Sequence, residues 1–183
     1  MKNLVDYIIK EKIFDELFCD YVISEIKDVE WKFHTWSNHY KILPNTDTKE
    51  ELEVAYIKNH FQQCFIKKCI LDLVNQKLSE SRVFSINHTR INKYRTGSSM
   101  KKHVDHIYSL FDGEKRGIPI LSSIIALNDE SDYEGGDFIF SNLNTSVRLK
   151  KGEILIFPSL FIYEHYVTTI KKGIRYTAVN WLF

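Results

Sequence analysis

His103-Val104-Asp105 is the stretch whose residue types and spacing could do chemistry. Residues two apart on a strand point to one face, so this imidazole and carboxylate would converge on one spot. His165 follows sixty residues after Asp105, and Arg175 ten residues after that. Two imidazoles and one carboxylate on one side of a metal ion leave coordination positions open, which suits Fe(II). Tyr176, Ala178 and Val179 make the surroundings of Arg175 apolar. A guanidinium buried there would be costly without a counter-charge, and that cost argues for an anionic ligand.

The flanking segments extend the pattern. Tyr94-x-x-Gly97 precedes the first histidine, and Glu134-Gly135-Gly136-Asp137-Phe138 lies between the two. Gly152-Glu153-Ile154-Leu155-Ile156-Phe157-Pro158 precedes His165, and Gly173-Ile174-Arg175-Tyr176 and Trp181 follow it. In this order the segments resemble the 2-oxoglutarate/Fe(II) dioxygenase superfamily, and most of all its prolyl 4-hydroxylase branch. The similarity covers residues 84–183.

The resemblance implies a site. His103, Asp105 and His165 would hold Fe(II). Arg175 would take the far carboxylate of 2-oxoglutarate, because its planar fork matches a carboxylate bidentately. Thr177 shares the strand face of Arg175 and would help hold the same group. Tyr94 would hydrogen-bond the cosubstrate, with Asn92 on the same face as a further candidate. Ser122 is expected to face the cavity from a later strand, and Trp181 to wall the substrate cleft. His106, one residue beyond Asp105, should face away. The implied reaction consumes O2 and 2-oxoglutarate, releases succinate and CO2, and hydroxylates an unactivated C–H bond. It uses no side chain as a general base. Ascorbate belongs to the same expectation as a supporting reductant.

The implied substrate is a peptide or protein, hydroxylated at a prolyl-type position. Two alternatives stand beside it. One is an oxygenase for a nucleobase or a free small molecule. Asn92-x-Tyr94 resembles the nucleic-acid demethylases of the superfamily, but Arg175-Tyr176-Thr177 departs from their Arg-x-Asn continuation. The other is a non-catalytic jelly-roll binding module.

These residues need elements to position them. From residue 82 onward the hydrophobic period is two, with short strands expected at 83–91, 118–127, 137–140, 147–149, 153–157, 163–168 and 175–182. Loops are expected at 95–100, 106–117 and 128–136. No helix-length pattern separates the strands, which argues against a parallel α/β sheet and for a closed or sandwiched β unit. The resemblance specifies an α+β fold, mainly β: a double-stranded β-helix of the jelly-roll or cupin-like kind, with N-terminal supporting helices. The first 81 residues read as that helical support within one domain of 183. Residues 4–26 carry apolar side chains three and four apart, a helical stripe with room for a short strand early on. Trp31 and Phe33 alternate as in a strand, within an aromatic run that includes Trp36 and Tyr40. Residues 49–79 form the longest helical pattern, one helix or two broken near Asn59, with Thr48 or Asp47 as its cap.

Composition narrows the classes. A net charge of +1 gives no argument for nucleic acid or an anionic membrane. The longest apolar run, 154–163, is interrupted by Pro158 and is far shorter than the ~20 residues a membrane span needs. Cys19, Cys64 and Cys69 are an odd set without repeated spacing, so neither a disulfide framework nor a zinc site is expected. His34 and His39 lack a carboxylate at ligand spacing. The expected location is the cytoplasm. The oligomeric state is left open.

Overall fold

The structure is a computed structural model, and it describes residues 3–34, 52–105 and 119–183. In chain order it contains β1 (Ile9–Lys12), α1 (Glu16–Glu25), β2 (Lys32–Phe33), β3 (Glu53–Tyr56) and α2 (His60–Lys77). Then come β4 (Arg90–Arg95), β5 (Met100–His103), β6 (Leu121–Ala126), β7 (Tyr133–Gly135), β8 (Phe138–Phe140) and β9 (Thr145–Val147). The chain closes with β10 (Glu153–Pro158), β11 (His165–Val167) and β12 (Ile170–Leu182). Trp36, His39, Tyr40, the loop and caps expected at 44–48, His106 and the loop expected at 106–117 lie outside the described residues.

Among the described residues the strands form two antiparallel sheets. The larger runs β1-β10-β6-β12-β4-β3-β2, with β7 paired to the start of β12. The smaller runs β5-β11-β8-β9. This is the mainly β architecture expected, with two helices against one side. The region expected to be helical support also supplies β1, β2 and β3 to the large sheet.

Alternation sorts the large sheet into two faces. On one, Ile91, Ile125, Ile154, Ile156, Ala178 and Leu182 pack with Val22 of α1 and Ile66, Ile70 and Val74 of α2. On the other, Tyr94, Ile124, Leu155, Phe157 and Val179 pack with Phe138, Phe140 and Val167 of the small sheet. The site lies on this second face. The helices buttress the first and do not reach it.

The helix expected from residue 49 begins instead at His60. Leu52 and Val54 belong to the core between the sheets, and Ala55 and Ile57 are buried from the opposite side. That is period two, and residues 53–56 complete the edge of β4. The Asn59 side chain then accepts from the Gln62 amide at 3.2 Å and caps α2. Within residues 4–26 the early strand is present as β1, and Asp15 caps α1 through the Phe18 amide at 2.7 Å. Residues 83–89 stay irregular except for a bridge between Ile86 and Leu182, so the strand expected at 83–91 starts at Arg90.

The N-terminal segment docks on the turn before β10. Ile13 and Phe14 amides donate to the Gly152 carbonyl at 3.1 and 3.2 Å. Gly152 has φ +81°, and a Cβ there would press into the Phe14 carbonyl, so only glycine fits. No helix among the described residues is long and apolar enough to cross a membrane.

Candidate metal centre and its cavity

His103 ends β5 and His165 begins β11, and the two are direct cross-strand partners. Their rings lie 4.3 Å apart between centroids. Asp105 follows β5 by two residues, so its carboxylate returns to the same spot. Its Oδ1 is 3.5 Å from His103 Nε2 and 3.8 Å from His165 Nε2. One ligand atom from each residue falls within 4.8 Å of the others, a set that could hold a metal ion.

The backbone fixes how the imidazoles present themselves. His103 Nδ1 lies 2.7 Å from the Lys101 carbonyl and His165 Nδ1 lies 2.9 Å from the Tyr163 carbonyl. A carbonyl only accepts, so each Nδ1 carries the proton and donates it. The lone pair is thereby placed on Nε2, which faces the carboxylate. Such outer contacts fix the tautomer and orientation of metal-binding histidines.

Electrostatics point the same way. Burial alone would raise the Asp105 carboxyl. The imidazoles of His165 and His103 and the Ser122 hydroxyl outweigh that and hold it below the usual carboxylate range. Burial pushes the His165 imidazole down to about 4, against the opposing pull of Asp105. Phe138 stacks on its ring at 4.8 Å, and Phe157 meets it edge-on at 5.0 Å. At neutral pH the set is one anion and a neutral buried imidazole, the protonation state a metal requires.

This depression makes a prediction about the metal-free protein. The unfolded chain takes up the His165 proton near pH 6.5, before the folded chain does. The stabilisation is therefore complete above about pH 6.5 and is lost as pH falls towards 4, an effect of ~3 kcal/mol. Urea unfolding of the metal-free protein at a series of pH values should show this fall, and His165→Leu should flatten it. An equal slope in that variant would remove His165 as the cause.

A small cavity opens onto the triad. Of the residues expected at the site, Asn92, Tyr94 and Trp181 line it along with His103, Asp105 and His165. Arg175 does not line it. Its guanidinium lies 5.1 Å from the Tyr94 ring centroid, with the residue 4% exposed. Gly136 sits against this arginine at φ +71°, where a Cβ would fall 3.1 Å from Arg175 Cδ. Thr177 is buried on the same face, but it too is absent from the lining. Ser122 serves the cavity indirectly: it hydrogen-bonds Asp105 and lies 2.7 Å from Ser159 Oγ.

The second face of the sheet holds polar atoms that nothing satisfies. Arg90 Nε, Asn92 Oδ1, Thr177 Oγ1 and Trp181 Nε1 are buried without a hydrogen-bond partner. Buried polar groups are ordinarily paired, so a cluster of orphans marks a place for a polar ligand. Arg175 has no carboxylate partner among the described residues. Arg90 was missed in the sequence. It lines the cavity with its guanidinium 4.6 Å from the Trp181 ring centroid. Arg90-Ile91-Asn92-Lys93-Tyr94 carried the signal, because alternation puts residue 90 on the face of 92 and 94.

Comparison with known proteins gives consistent matches. The model of the 2OG-Fe(II) oxygenase superfamily matches residues 89–183. A PKHD-type hydroxylase from Synechococcus sp. strain CC9902 is 31% identical over 126 residues, 64% of this chain and 54% of that protein. One from Idiomarina loihiensis is 30% identical over 118 residues, 62% of this chain and 51% of that protein. The chain thus spans about half the length of the curated relatives it matches. Among solved structures, the viral collagen prolyl hydroxylase of Paramecium Bursaria Chlorella virus-1 is similar with a TM-score of 0.74 at 18% identity, covering 96% of this chain and 94% of that one. A Trichoplax adhaerens prolyl hydroxylase, solved with a hypoxia inducible factor peptide fragment, gives 0.72 at 15% identity, covering 97% and 84%. At those identities the likeness concerns the fold, a double-stranded β-helix.

Proposed function

Since the chain belongs to the 2OG-Fe(II) oxygenase superfamily, we propose that it is a 2-oxoglutarate-dependent hydroxylase acting on a prolyl-type substrate. The observation that carries this is the convergence of His103, Asp105 and His165 within 4.8 Å at one end of a cavity. These three residues would hold Fe(II), leaving coordination positions open on the cavity side. When bound, the iron supplies the oxidation of a C–H bond, coupled to conversion of 2-oxoglutarate and O2 into succinate and CO2.

The chain's own residues bind, orient and shield. Arg175 supplies a buried cation for the far carboxylate, in a site from which water is largely excluded. Tyr94 lies beneath that guanidinium. Thr177 offers the cosubstrate a hydroxyl that has no partner of its own, and Asn92 hydrogen-bonds Tyr94 beside it. Ser122 steadies the Asp105 carboxylate, and the Phe138 and Phe157 rings keep His165 dry. Trp181 walls the cleft where a substrate enters. The prolyl assignment is supported by the names of the relatives, PKHD-type hydroxylases, and of the structural neighbours. A cytoplasmic location is supported by three free thiols, which a reducing compartment preserves.

The test is direct. Iron-loaded protein should convert 2-oxoglutarate to succinate, and His103→Ala should abolish the conversion. Undiminished succinate formation by that variant would overturn the metal assignment.

A further inference from the structure

Two guanidinium groups serve one face of the large sheet, and the proposed cosubstrate accounts for only one. Arg175 lies opposite Tyr94 and Arg90 lies opposite Val179. Tyr94 and Arg90 are four residues apart on β4, so the two arginines are rooted roughly 13 Å apart. A dicarboxylate reaching from Arg175 to the triad therefore leaves Arg90 for a second ligand.

Arg90 is placed to receive one. It lines the cavity beside the triad, rests on the Trp181 ring, and has a buried Nε with no acceptor. No carboxylate pairs with it among the described residues. Burial pushes its guanidinium below the usual range, against the pull of Tyr94, Tyr56 and Asp105. A guanidinium withdrawn from water in this way is stabilised far more by an anion than by a neutral carbonyl.

The charges of the filled site agree. A divalent cation contributes two positive charges, and Arg90 and Arg175 one each. Asp105 contributes one negative charge and 2-oxoglutarate two. One positive charge is left, and a single carboxylate would neutralise it.

We infer that Arg90 binds a carboxylate carried by the primary substrate and so selects an anionic substrate, an inference that rests on the function proposed above. The carboxylate belongs to a free amino acid or chain end, or to an acidic side chain.

The test uses the Mn(II)- and 2-oxoglutarate-loaded protein and calorimetric binding, with no turnover. Acetate and acetamide are the minimal charged and neutral probes. N-acetyl-L-proline carries the carboxylate at a chain end, and N-acetyl-L-aspartyl methylamide carries it in a side chain; the tighter of these two identifies the source. Acetate is expected to bind about tenfold or more tightly than acetamide, and Arg90→Gln to erase that preference. Arg90→Lys, which keeps the charge, should retain the preference at lower affinity. Equal binding of the charged and neutral probes, or a preference that survives in Arg90→Gln, overturns the inference. So does a loss of 2-oxoglutarate affinity in Arg90→Gln as large as the loss for acetate, since Arg90 would then serve the cosubstrate. Failure of the wild-type protein to take up Mn(II) and 2-oxoglutarate would instead overturn the hydroxylase reading itself.

Discussion

Asp105→Ala is expected to lower the affinity for Mn(II) or Ni(II) by on the order of 1,000-fold, measured by calorimetry. The triad has one anionic member. The two imidazoles donate their Nδ1 hydrogens to backbone carbonyls and present their Nε2 lone pairs to the site. Only Asp105 offsets the charge of a dication. The carboxylate is 10% exposed and is kept ionised by His165, His103 and Ser122. A melting experiment separates a metal ligand from a merely structural residue. Metal that binds the folded state raises the melting temperature of the wild-type protein in proportion to the logarithm of its concentration. In Asp105→Ala that rise should vanish, while the metal-free variant still melts cooperatively. A metal-induced rise equal to that of the wild type would sink the assignment.

The second large effect concerns Arg175. Arg175→Ala should weaken 2-oxoglutarate binding by about 100- to 1,000-fold, because one partner of a buried charge pair is lost. Arg175→Lys keeps the charge but not the planar fork, and its loss should be about tenfold. Neither change should move the Mn(II) affinity measured without cosubstrate, because the triad is carried by β5, β11 and the residues just after β5. Parallel losses of metal and cosubstrate affinity would mean that the fold, and not the anchor, had been damaged. The metal-free Arg175→Ala protein should be no less stable than the wild type. The wild type buries that guanidinium at 4% exposure with no carboxylate partner among the described residues.

The triad was readable in the sequence because its geometry is local or nearly so. His103 and Asp105 lie two residues apart at the end of β5. His165 needed the resemblance, since only the register of β11 against β5 brings it to His103. Ser122 was expected to face the cavity; it does not line it but hydrogen-bonds Asp105, a contact set by the position of β6 between β10 and β12. Arg90 was hidden for two reasons. The expected strand began at residue 83, which put no emphasis on residue 90. Its significance also depends on Trp181, ninety-one positions later and brought near by pairing across the sheet. Strand β3 was concealed inside a longer helical periodicity. Residues 52–57 satisfy both periods, and the open edge of β4 decides between them.

Strand β12 carries Arg175, Thr177, Val179 and Trp181 on the face of the sheet that holds the cavity, and Ala178 and Leu182 towards the helices. It is held at once by β4, β6 and β7. This gives the strand a parity. One residue gained or lost between Gly173 and Trp181 would exchange its two faces. Arg175 would then point into the helix-side core, and apolar residues would point at the triad. A change of two residues would keep the faces and shift only the position along the sheet. Length variation in this strand is therefore tolerable only in even steps, whatever the individual residues are.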